Sequence, residues 1–459
     1  MTTYGKVLLD PKIYKAMPIE KVPHTSFNYY LIVCDKDGNE RNEPDGKKLS
    51  EQIFTALANE SITDVFLMSH GWMGDVPAAR SQYNDWIGAM AKQTADIEKI
   101  KQVRPEFNPL MIGLHWPSKP WGDEDLTNSV SFDINDADPI EQLVDEYADR
   151  IGNTEAARQG LRTIFRAANE DSAADTLPPE VLNAYRVLNQ EANLGSEGEG
   201  GAPGSDWEGF DPEAIYEASQ DEPVSFAVDS SSIRNAVLDP LRILSFWKMK
   251  ARARQIRESA GFNLLKALQQ KAAPTVRFHL MGHSFGCIVV SSMLNGPEGK
   301  GTLVRPVDSL ALLQGAVSLW SYCSKISYER NRPGYFNQVF AQKKVAGPIV
   351  TTHSVHDYAV GRMYPLAGKI AFSSVDFAPG QLPKYGGIGS FGIGGDDLGT
   401  ENMKMRSSDA AYDFKAGKTY NLESSQYICD LGGGSFIGAH GDIAKPEVAH
   451  AVWSAACAS

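Results

Sequence analysis

Short apolar runs alternate with segments of helical periodicity along most of the chain. Each run is bounded by turn-forming or polar residues and is too short for a buried helix, so it predicts a buried strand. This alternation predicts an α/β fold, in which helices cover both faces of a mostly parallel central sheet. Helices are expected at Leu49–Asn59 and from Pro446 onward. The predicted strands lie at 25–36, 64–68, 109–116, 277–281, 308–313, 348–352 and 418–429.

The stretch 119–237 interrupts this alternation. Its connections are polar and include the tract 195–205, which is rich in Gly, Ser and Glu. A connection of this length is far beyond an ordinary loop, and such segments are usually functional or disordered. The sequence therefore predicts one domain built from 1–118 and 238–459, with a mainly helical, partly flexible insertion between them that forms a lid or cap. The helical patterns inside the insertion lie near 139–151, 154–169 and 179–192.

Asp239-Pro240 is expected to open a long helix that runs through Ile256. Proline is tolerated in the first turn of a helix, where its missing N–H would have no partner in any case.

Charge is distributed unevenly along the chain. The 459 residues carry a net charge of −13, whereas residues 121–220 alone hold 23 Asp and Glu against five Arg, a local charge of −18. Such a surface repels phosphates, so no nucleic-acid partner is expected there. The acidic insertion is read first as a solvated surface, and a protein partner that binds through it remains open.

Several classes of protein are not expected. The sequence lacks a run of 18 apolar residues and an apolar N-terminal leader, so no transmembrane segment and no signal peptide are predicted. Five scattered Cys without C-x-x-C spacing indicate reduced thiols rather than a disulfide framework or a metal site. A cytoplasmic location is predicted on this basis, with non-classical export left open.

The pentapeptide Gly282-His-Ser-Phe-Gly286 matches the G-x-S-x-G pattern of a nucleophile elbow. The pattern alone is weak evidence, because short motifs recur by chance. Its context carries the argument, since an apolar strand precedes it and a helical apolar run, Cys287–Leu294, follows it. Ser284 is therefore the candidate nucleophile.

A serine hydroxyl needs a base to take its proton and an acid to orient that base. Asp357 follows a predicted strand, where ligand sites of α/β sheets gather. His440 lies in a Gly-rich loop after the last predicted strand, whereas His450 lies in a helical pattern that favours packing or exposure to solvent. His440 is thus preferred as the base, and Asp357 as the acid.

A tetrahedral intermediate needs two backbone N–H donors for its oxyanion. The N–H of Phe285, directly after the nucleophile, is one candidate. The other is the N–H of Trp72, in the loop His70–Gly74 after an early strand. Substrate contacts are expected from the four neighbouring residues His70, Gly71, Met73 and His283.

Two other patterns point to no cofactor. Gly387-Ile-Gly-Ser-Phe-Gly392 matches a dinucleotide-binding pattern but lacks the preceding strand, so it is read as a loop. His279 and His283 have a spacing seen in metal sites, but the strand and turn are expected to separate their rings. No metal and no cofactor are predicted.

Taken together, Gly282–Gly286, His70-Gly71, Asp357 and His440 resemble the α/β-hydrolase superfamily, nearer its lipases and esterases than its dehalogenases. The resemblance covers 1–118 and 238–459. It implies a serine hydrolase that cleaves a small-molecule ester or lipid through an acyl-enzyme intermediate. Alternatives are an acyltransferase or peptidase with the same three residues, or a non-catalytic scaffold that binds a protein partner.

Overall fold

The computed structural model describes residues 19–35, 38–72, 75–118, 139–170, 176–192, 210–221, 232–328, 332–361, 382–431 and 438–458. In this part of the chain, nine strands form a single sheet. The strands are β1 Glu20–Lys21, β2 Asn28–Val33, β3 Asp64–Ser69, β4 Pro109–His115, β5 Arg277–His283, β6 Ser309–Leu313, β7 Ile349–His353, β8 Glu401–Lys404 and β9 Thr419–Glu423.

The strand order across the sheet is β1-β2-β4-β3-β5-β6-β7-β9-β8. All neighbours are parallel except β1, which pairs with β2 in the antiparallel sense. Because parallel strands share a direction, the loops after β3, β5, β7 and β9 leave the same edge of the sheet. This edge brings together segments that are far apart along the chain.

Helices flank the sheet. The predicted helices at Leu49–Asn59 and from Pro446 are confirmed. All seven predicted strands are found, although β9 ends at Glu423, six residues before its predicted end. The short edge strands β1 and β8 were not predicted. The helices are α1 Leu49–Asn59, α2 Val76–Lys92, α3 Thr94–Val103, α4 Pro139–Ile151, α5 Glu155–Glu170, α6 Pro179–Ala192, α7 Pro212–Asp221, α8 Ser232–Ile256, α9 Phe262–Lys271, α10 Gly286–Asn295, α11 Asn337–Ala341, α12 Ile388–Phe391 and α13 Pro446–Cys457, with a π-helical turn at Arg257–Gly261 between α8 and α9.

The two faces of the sheet bury separate apolar clusters, as the predicted covering of both faces requires. Along β3, Val65 and Leu67 belong to one cluster, while Phe66 and Met68 belong to the other. This alternation follows from the two-residue period of a strand. Each fully buried side chain of this size contributes about 1.5–3 kcal/mol, so both layers hold the sheet in place.

Helices α4 to α7 lie between β4 and α8. Helices α4, α5 and α6 match the three predicted helical patterns, whereas α7 was not predicted. They form a third apolar cluster together with the first half of α8, and its buried members include Val144, Leu161, Leu188 and Leu244. Exposed faces carry ion pairs such as Arg162 with Glu141, 2.7 Å apart. The role of this segment as an acidic lid, and its separation as an insertion from one domain built from 1–118 and 238–459, stay predictions.

The expected start of α8 was wrong. The helix begins at Ser232 rather than at Asp239, and Pro240 lies inside it. An internal proline removes one helical hydrogen bond and crowds the preceding turn, at a cost of about 3 kcal/mol. Ala236 and Val237, before the proline, are buried in the third cluster, so tertiary packing offsets that cost.

Candidate active site

Ser284 lies on a sharp turn between β5 and α10. Its φ angle is +56°, in the left-handed region that a residue with a side chain rarely adopts. Such a conformation costs on the order of 1–3 kcal/mol and persists only where the surroundings impose it. The Ser284 N–H donates to the carbonyl of Leu313 at 3.1 Å, which holds the turn against β6.

The two glycines of the pentapeptide are needed for close backbone contacts. A Cβ on Gly282 would lie 2.5 Å from the carbonyl oxygen of Gly286. A Cβ on Gly286 would lie 2.1 Å from the carbonyl oxygen of Ser69, the last residue of β3. Any larger residue would therefore push α10 away from the sheet, and the Ser284 hydroxyl with it.

The structure brings Ser284, His440 and Asp357 together at the edge where the parallel strands end. His440 Nε2 lies 2.7 Å from Ser284 Oγ, and His440 Nδ1 lies 2.9 Å from Asp357 Oδ2. In the tautomer that satisfies both contacts, Ser284 O–H donates to Nε2 and Nδ1–H donates to the carboxylate. Asp357 and Ser284 are buried, and His440 is mostly buried.

Asp357 is held on both carboxylate oxygens. The backbone N–H of Val360 donates to Oδ1 at 3.0 Å, and the side-chain amide of Gln314 donates to Oδ2 at 2.9 Å. Gln314 directly follows β6 and was missed from the sequence. A polar residue at the end of an apolar strand was the only local signal for it.

His283 holds the loop that carries His440. Its Nε2–H donates to the His440 carbonyl at 2.8 Å, and the two rings lie 4.9 Å apart. Burial, followed by the nearby His440, lowers the pKa of His283 to about 3, so this ring is neutral. Substrate contact by His283 stays a prediction, and its Nε2 is already used within the protein.

The loop after β3 lies directly against the nucleophile. A Cβ on Gly71 would lie 2.6 Å from the Cβ of Ser284, so this position needs glycine. The His70 ring is fully buried, with Nδ1 2.8 Å from the Gly71 carbonyl and Nε2 2.9 Å from His115 Nδ1. These contacts anchor the loop from inside the protein. Substrate contact by His70 or Gly71 stays a prediction.

The two candidate oxyanion donors are the N–H of Trp72, which follows the close contact of Gly71 with Ser284, and the N–H of Phe285, which follows Ser284 directly. The Trp72 N–H and the Gly71 carbonyl belong to the same peptide unit. The Gly71 carbonyl accepts a hydrogen bond from His70 Nδ1. A trans peptide is planar with its N–H opposite its carbonyl, so His70 fixes the direction of that N–H. Phe285 immediately precedes α10, where backbone N–H groups lack helical partners and the helix dipole favours negative charge.

The side chain of Phe285 does not line the mouth of the site. It is fully buried, and its ring lies 4.9 Å from that of Phe246 in α8. The Trp72 ring is half-buried and also packs on Phe246, with ring centroids 5.7 Å apart. The Phe285 side chain therefore offers no apolar surface to a substrate, whereas Met73 lies outside the described residues.

His450 is not placed to act on Ser284. It is buried in α13, where Nδ1 lies 2.8 Å from Asp96 Oδ2 and Nε2 lies 3.1 Å from the Ala410 carbonyl. Burial alone would lower the pKa of His450, but the hydrogen bond and charge of Asp96 outweigh burial and raise it. His450 therefore serves packing, and the choice of His440 over His450 agrees with the geometry.

A second Asp–His–Ser arrangement lies at the start of the strands. His279 Nε2 lies 3.0 Å from Asp64 Oδ1, and His279 Nδ1 lies 2.8 Å from Ser309 Oγ. Arg104 also contacts Asp64 Oδ1, at 2.6 Å. The rings of His279 and His283 have different partners, and no group of three or more metal-ligating side chains is found among the described residues.

No family model, curated protein or solved structure matches the chain. Among the described helices, none combines the length and apolar content needed to cross a bilayer. The five Cys are all free thiols.

Proposed function

We propose that the protein is a serine hydrolase that cleaves carboxylic esters through an acyl-enzyme intermediate. One observation carries the proposal: the hydroxyl of Ser284, on a turn of positive φ, lies 2.7 Å from His440 Nε2, while His440 Nδ1 lies 2.9 Å from Asp357. A nucleophile hydrogen-bonded to a base that is itself oriented by an acid is the arrangement that acyl transfer needs.

In the first half of the reaction, Ser284 Oγ attacks the acyl carbon and His440 Nε2 takes its proton. The intermediate collapses, the bond from the acyl carbon to the alcohol oxygen breaks, and His440 returns the proton to the leaving alcohol. In the second half, His440 takes a proton from water as the water oxygen attacks the acyl carbon. The C–Oγ bond then breaks and Ser284 regains its proton. Asp357 holds the imidazole in the required tautomer throughout.

The oxyanion that forms in each half would be bound by the N–H groups of Trp72 and Phe285. Support comes from the contact of Gly71 with Ser284, from the His70 bond that orients the Trp72 peptide, and from the position of Phe285 at the start of α10. Loss of one such donor costs on the order of 10²–10³-fold in kcat.

The proposed class is the α/β-hydrolase superfamily, as the sequence resemblance implies. In that class a nucleophile elbow lies between a strand and a helix, an acid and a histidine follow in chain order, and one oxyanion donor comes from the loop after an early strand. Here Ser284, Asp357 and His440 follow β5, β7 and β9, and Gly71 follows β3. This order supports the proposal beyond the distances alone.

Turnover of p-nitrophenyl esters tests the proposed function. A burst of p-nitrophenol, equal to one equivalent of protein and followed by a slower steady rate, is expected because p-nitrophenol is a good leaving group, so that the acyl-enzyme forms faster than it is hydrolysed. Ser284→Ala should abolish both phases. A folded wild-type protein that releases no more p-nitrophenol than Ser284→Ala, over esters from acetate to long chains, would overturn the proposal.

The fate of the acyl group separates the alternatives. With an added alcohol or amine acceptor, an ester hydrolase releases mainly the free acid, whereas an acyltransferase forms mainly the transfer product. A protein that cleaves a peptide but no ester would instead be a peptidase. A scaffold without catalytic function would show no burst with any of these substrates.

A further inference from the structure

Gln314 takes an unusual backbone conformation beside the candidate acid. It follows β6 directly, is fully buried and has a φ angle of +44°. A non-glycine residue in this region is strained, and such strain is found where the surroundings demand a particular side-chain position. The Gln314 side chain is hydrogen-bonded to Asp357.

The orientation of the Gln314 amide follows from its partners. The Gln314 backbone N–H donates to Thr352 Oγ1 at 3.0 Å, so the Thr352 proton is directed to Gln314 Oε1, 2.9 Å away. The amide nitrogen then faces Asp357 Oδ2 at 2.9 Å and the Gly389 carbonyl at 3.1 Å. Both of these partners accept hydrogen bonds, so only an amide N–H₂ satisfies this side.

The glycine-rich segment 387–392, which matches a dinucleotide pattern, closes over this amide. A Cβ on Gly389 would lie 2.7 Å from Asp357 Oδ2 and 2.8 Å from the carbonyl carbon of Gln314. Only glycine lets the segment approach so closely. The segment thus packs against the acid and its partner, which accounts for a glycine at position 389 without any nucleotide.

We propose that Gln314 is a positioning residue that acts on the Ser284 reaction through Asp357; this inference rests on the proposed function. Gln314 donates to Oδ2, the same carboxylate oxygen that accepts from His440 Nδ1. With Val360 N–H on Oδ1, it fixes the plane of the carboxylate. Without the amide the carboxylate can rotate, and the imidazole loses its alignment with Ser284 Oγ.

The test compares Gln314→Met with Gln269→Met in the full chain. Methionine has the length of glutamine but no amide. Gln269 in α9 is an equally buried glutamine, whose Nε2 donates to the Arg305 carbonyl at 2.9 Å and whose Oε1 accepts from Val304 N–H at 3.2 Å. It therefore controls for loss of any buried amide.

Gln314→Met is expected to lower kcat for p-nitrophenyl esters about 10- to 100-fold with KM changed less than about twofold, as loss of a charge-assisted hydrogen bond at a reacting group predicts. The downfield proton resonance of His440 Nδ1–H should also shift. Gln269→Met should leave kcat and that resonance unchanged. Wild-type kcat and an unshifted resonance in Gln314→Met would overturn the inference.

Thr352→Val keeps the test decisive if Gln314→Met does not fold. It preserves volume but removes the hydroxyl that fixes the amide orientation, so kcat should fall several-fold at unchanged KM; an unchanged kcat would overturn the inference. A wild-type protein that releases no more p-nitrophenol than Ser284→Ala would instead overturn the proposed function. If the wild-type protein is active and kcat is unchanged in Gln314→Met and Thr352→Val, the role of Gln314 is refuted while the proposed function stands.

Discussion

Two Asp–His–Ser arrangements lie at opposite edges of one sheet. At the edge where strands end, His440 Nε2 lies 2.7 Å from Ser284 Oγ, and His440 Nδ1 lies 2.9 Å from Asp357 Oδ2. At the edge where strands begin, His279 Nδ1 lies 2.8 Å from Ser309 Oγ, and His279 Nε2 lies 3.0 Å from Asp64 Oδ1. Hydrogen-bond distances therefore do not distinguish the two.

The surroundings of the two serines and histidines distinguish the two arrangements. Ser284 lies on a turn of positive φ before a helix, while Ser309 is an ordinary residue at the start of β6. The His440 side chain is 12% exposed, whereas that of His279 is 2% exposed and stacks on Phe66. A nucleophile needs access and nearby oxyanion donors, and only the first arrangement combines exposure of its histidine with a helix N-terminus and a glycine loop.

We therefore assign different roles to the two arrangements. The Asp64 arrangement joins three adjacent strands, β3, β5 and β6, and the guanidinium of Arg104, the residue directly after α3, also contacts Asp64. A buried polar network that links neighbouring elements in this way holds them in register. Matched substitutions at the two edges should then separate activity from stability.

The largest expected effect concerns the two serines. Ser284→Ala should lower kcat/KM for p-nitrophenyl esters by at least about 10⁴-fold, because the nucleophile is lost. Ser309→Ala removes an equally buried hydroxyl and should stay within about twofold of wild type. Steady-state kinetics of both purified variants check this, and a comparable loss in Ser309→Ala would contradict the assignment of roles.

The two carboxylates give the next largest effect. Asp357→Asn should lower kcat about 10³–10⁴-fold, since an amide cannot hold the imidazole in the required tautomer. Asp64→Asn should leave kcat near that of the wild type at a temperature where both are folded. Equal kcat values for the two variants would show that position in the sheet does not decide the role.

For stability the order is reversed: replacing the histidine of the Asp64 arrangement should destabilise the protein more than replacing His440. His279→Ala should reduce the free energy of unfolding by about 2–4 kcal/mol, because it leaves buried polar partners unsatisfied. His440→Ala, at a position that is 12% exposed, should cost less than His279→Ala and abolish turnover, because Asp357 keeps its bonds from Gln314 and Val360. Urea unfolding measures both, and a smaller loss for His279→Ala than for His440→Ala would be inconsistent with a structural role for His279.

The smallest expected effect is a pH dependence of stability. Burial opposes ionisation of Asp64, but the hydrogen bond and charge of His279, the hydrogen bond of Thr63 and the charge of Arg104 outweigh burial and lower the pKa of Asp64 below 3.8. The stability that this carboxylate contributes is present above pH 3.8 and is lost as the pH falls through its lowered pKa. The difference in unfolding free energy between wild type and Asp64→Asn should therefore shrink below about pH 4. A difference that stays constant down to pH 2 would argue against this linkage.

Local patterns in the sequence predict much of the fold. Buried strands are visible as apolar runs, and the elbow is visible as glycines around Ser284 between a strand and a helix. Asp357 and His440 could be chosen because the ends of parallel strands meet at one edge. These signals depend on neighbouring residues or on chain order, which the sequence displays directly.

Contacts between distant segments could not be predicted in this way. Gln314 is 43 residues from Asp357, and nothing near it in sequence indicates the carboxylate that it meets. The same holds for Asp64 with His279, 215 residues apart. The start of α8 was misplaced because packing of residues 236 and 237 outweighs the local preference of Pro240 for a first turn.

Labelling with a fluorophosphonate probe tests the central claim most directly, because the probe reacts only with a serine activated within its folded site. The account predicts one equivalent of label on wild type, located on Ser284 by peptide mass spectrometry. It also predicts full labelling of Ser309→Ala and none of Ser284→Ala. A folded wild-type protein that takes up no label, or label found on Ser309, would contradict the account.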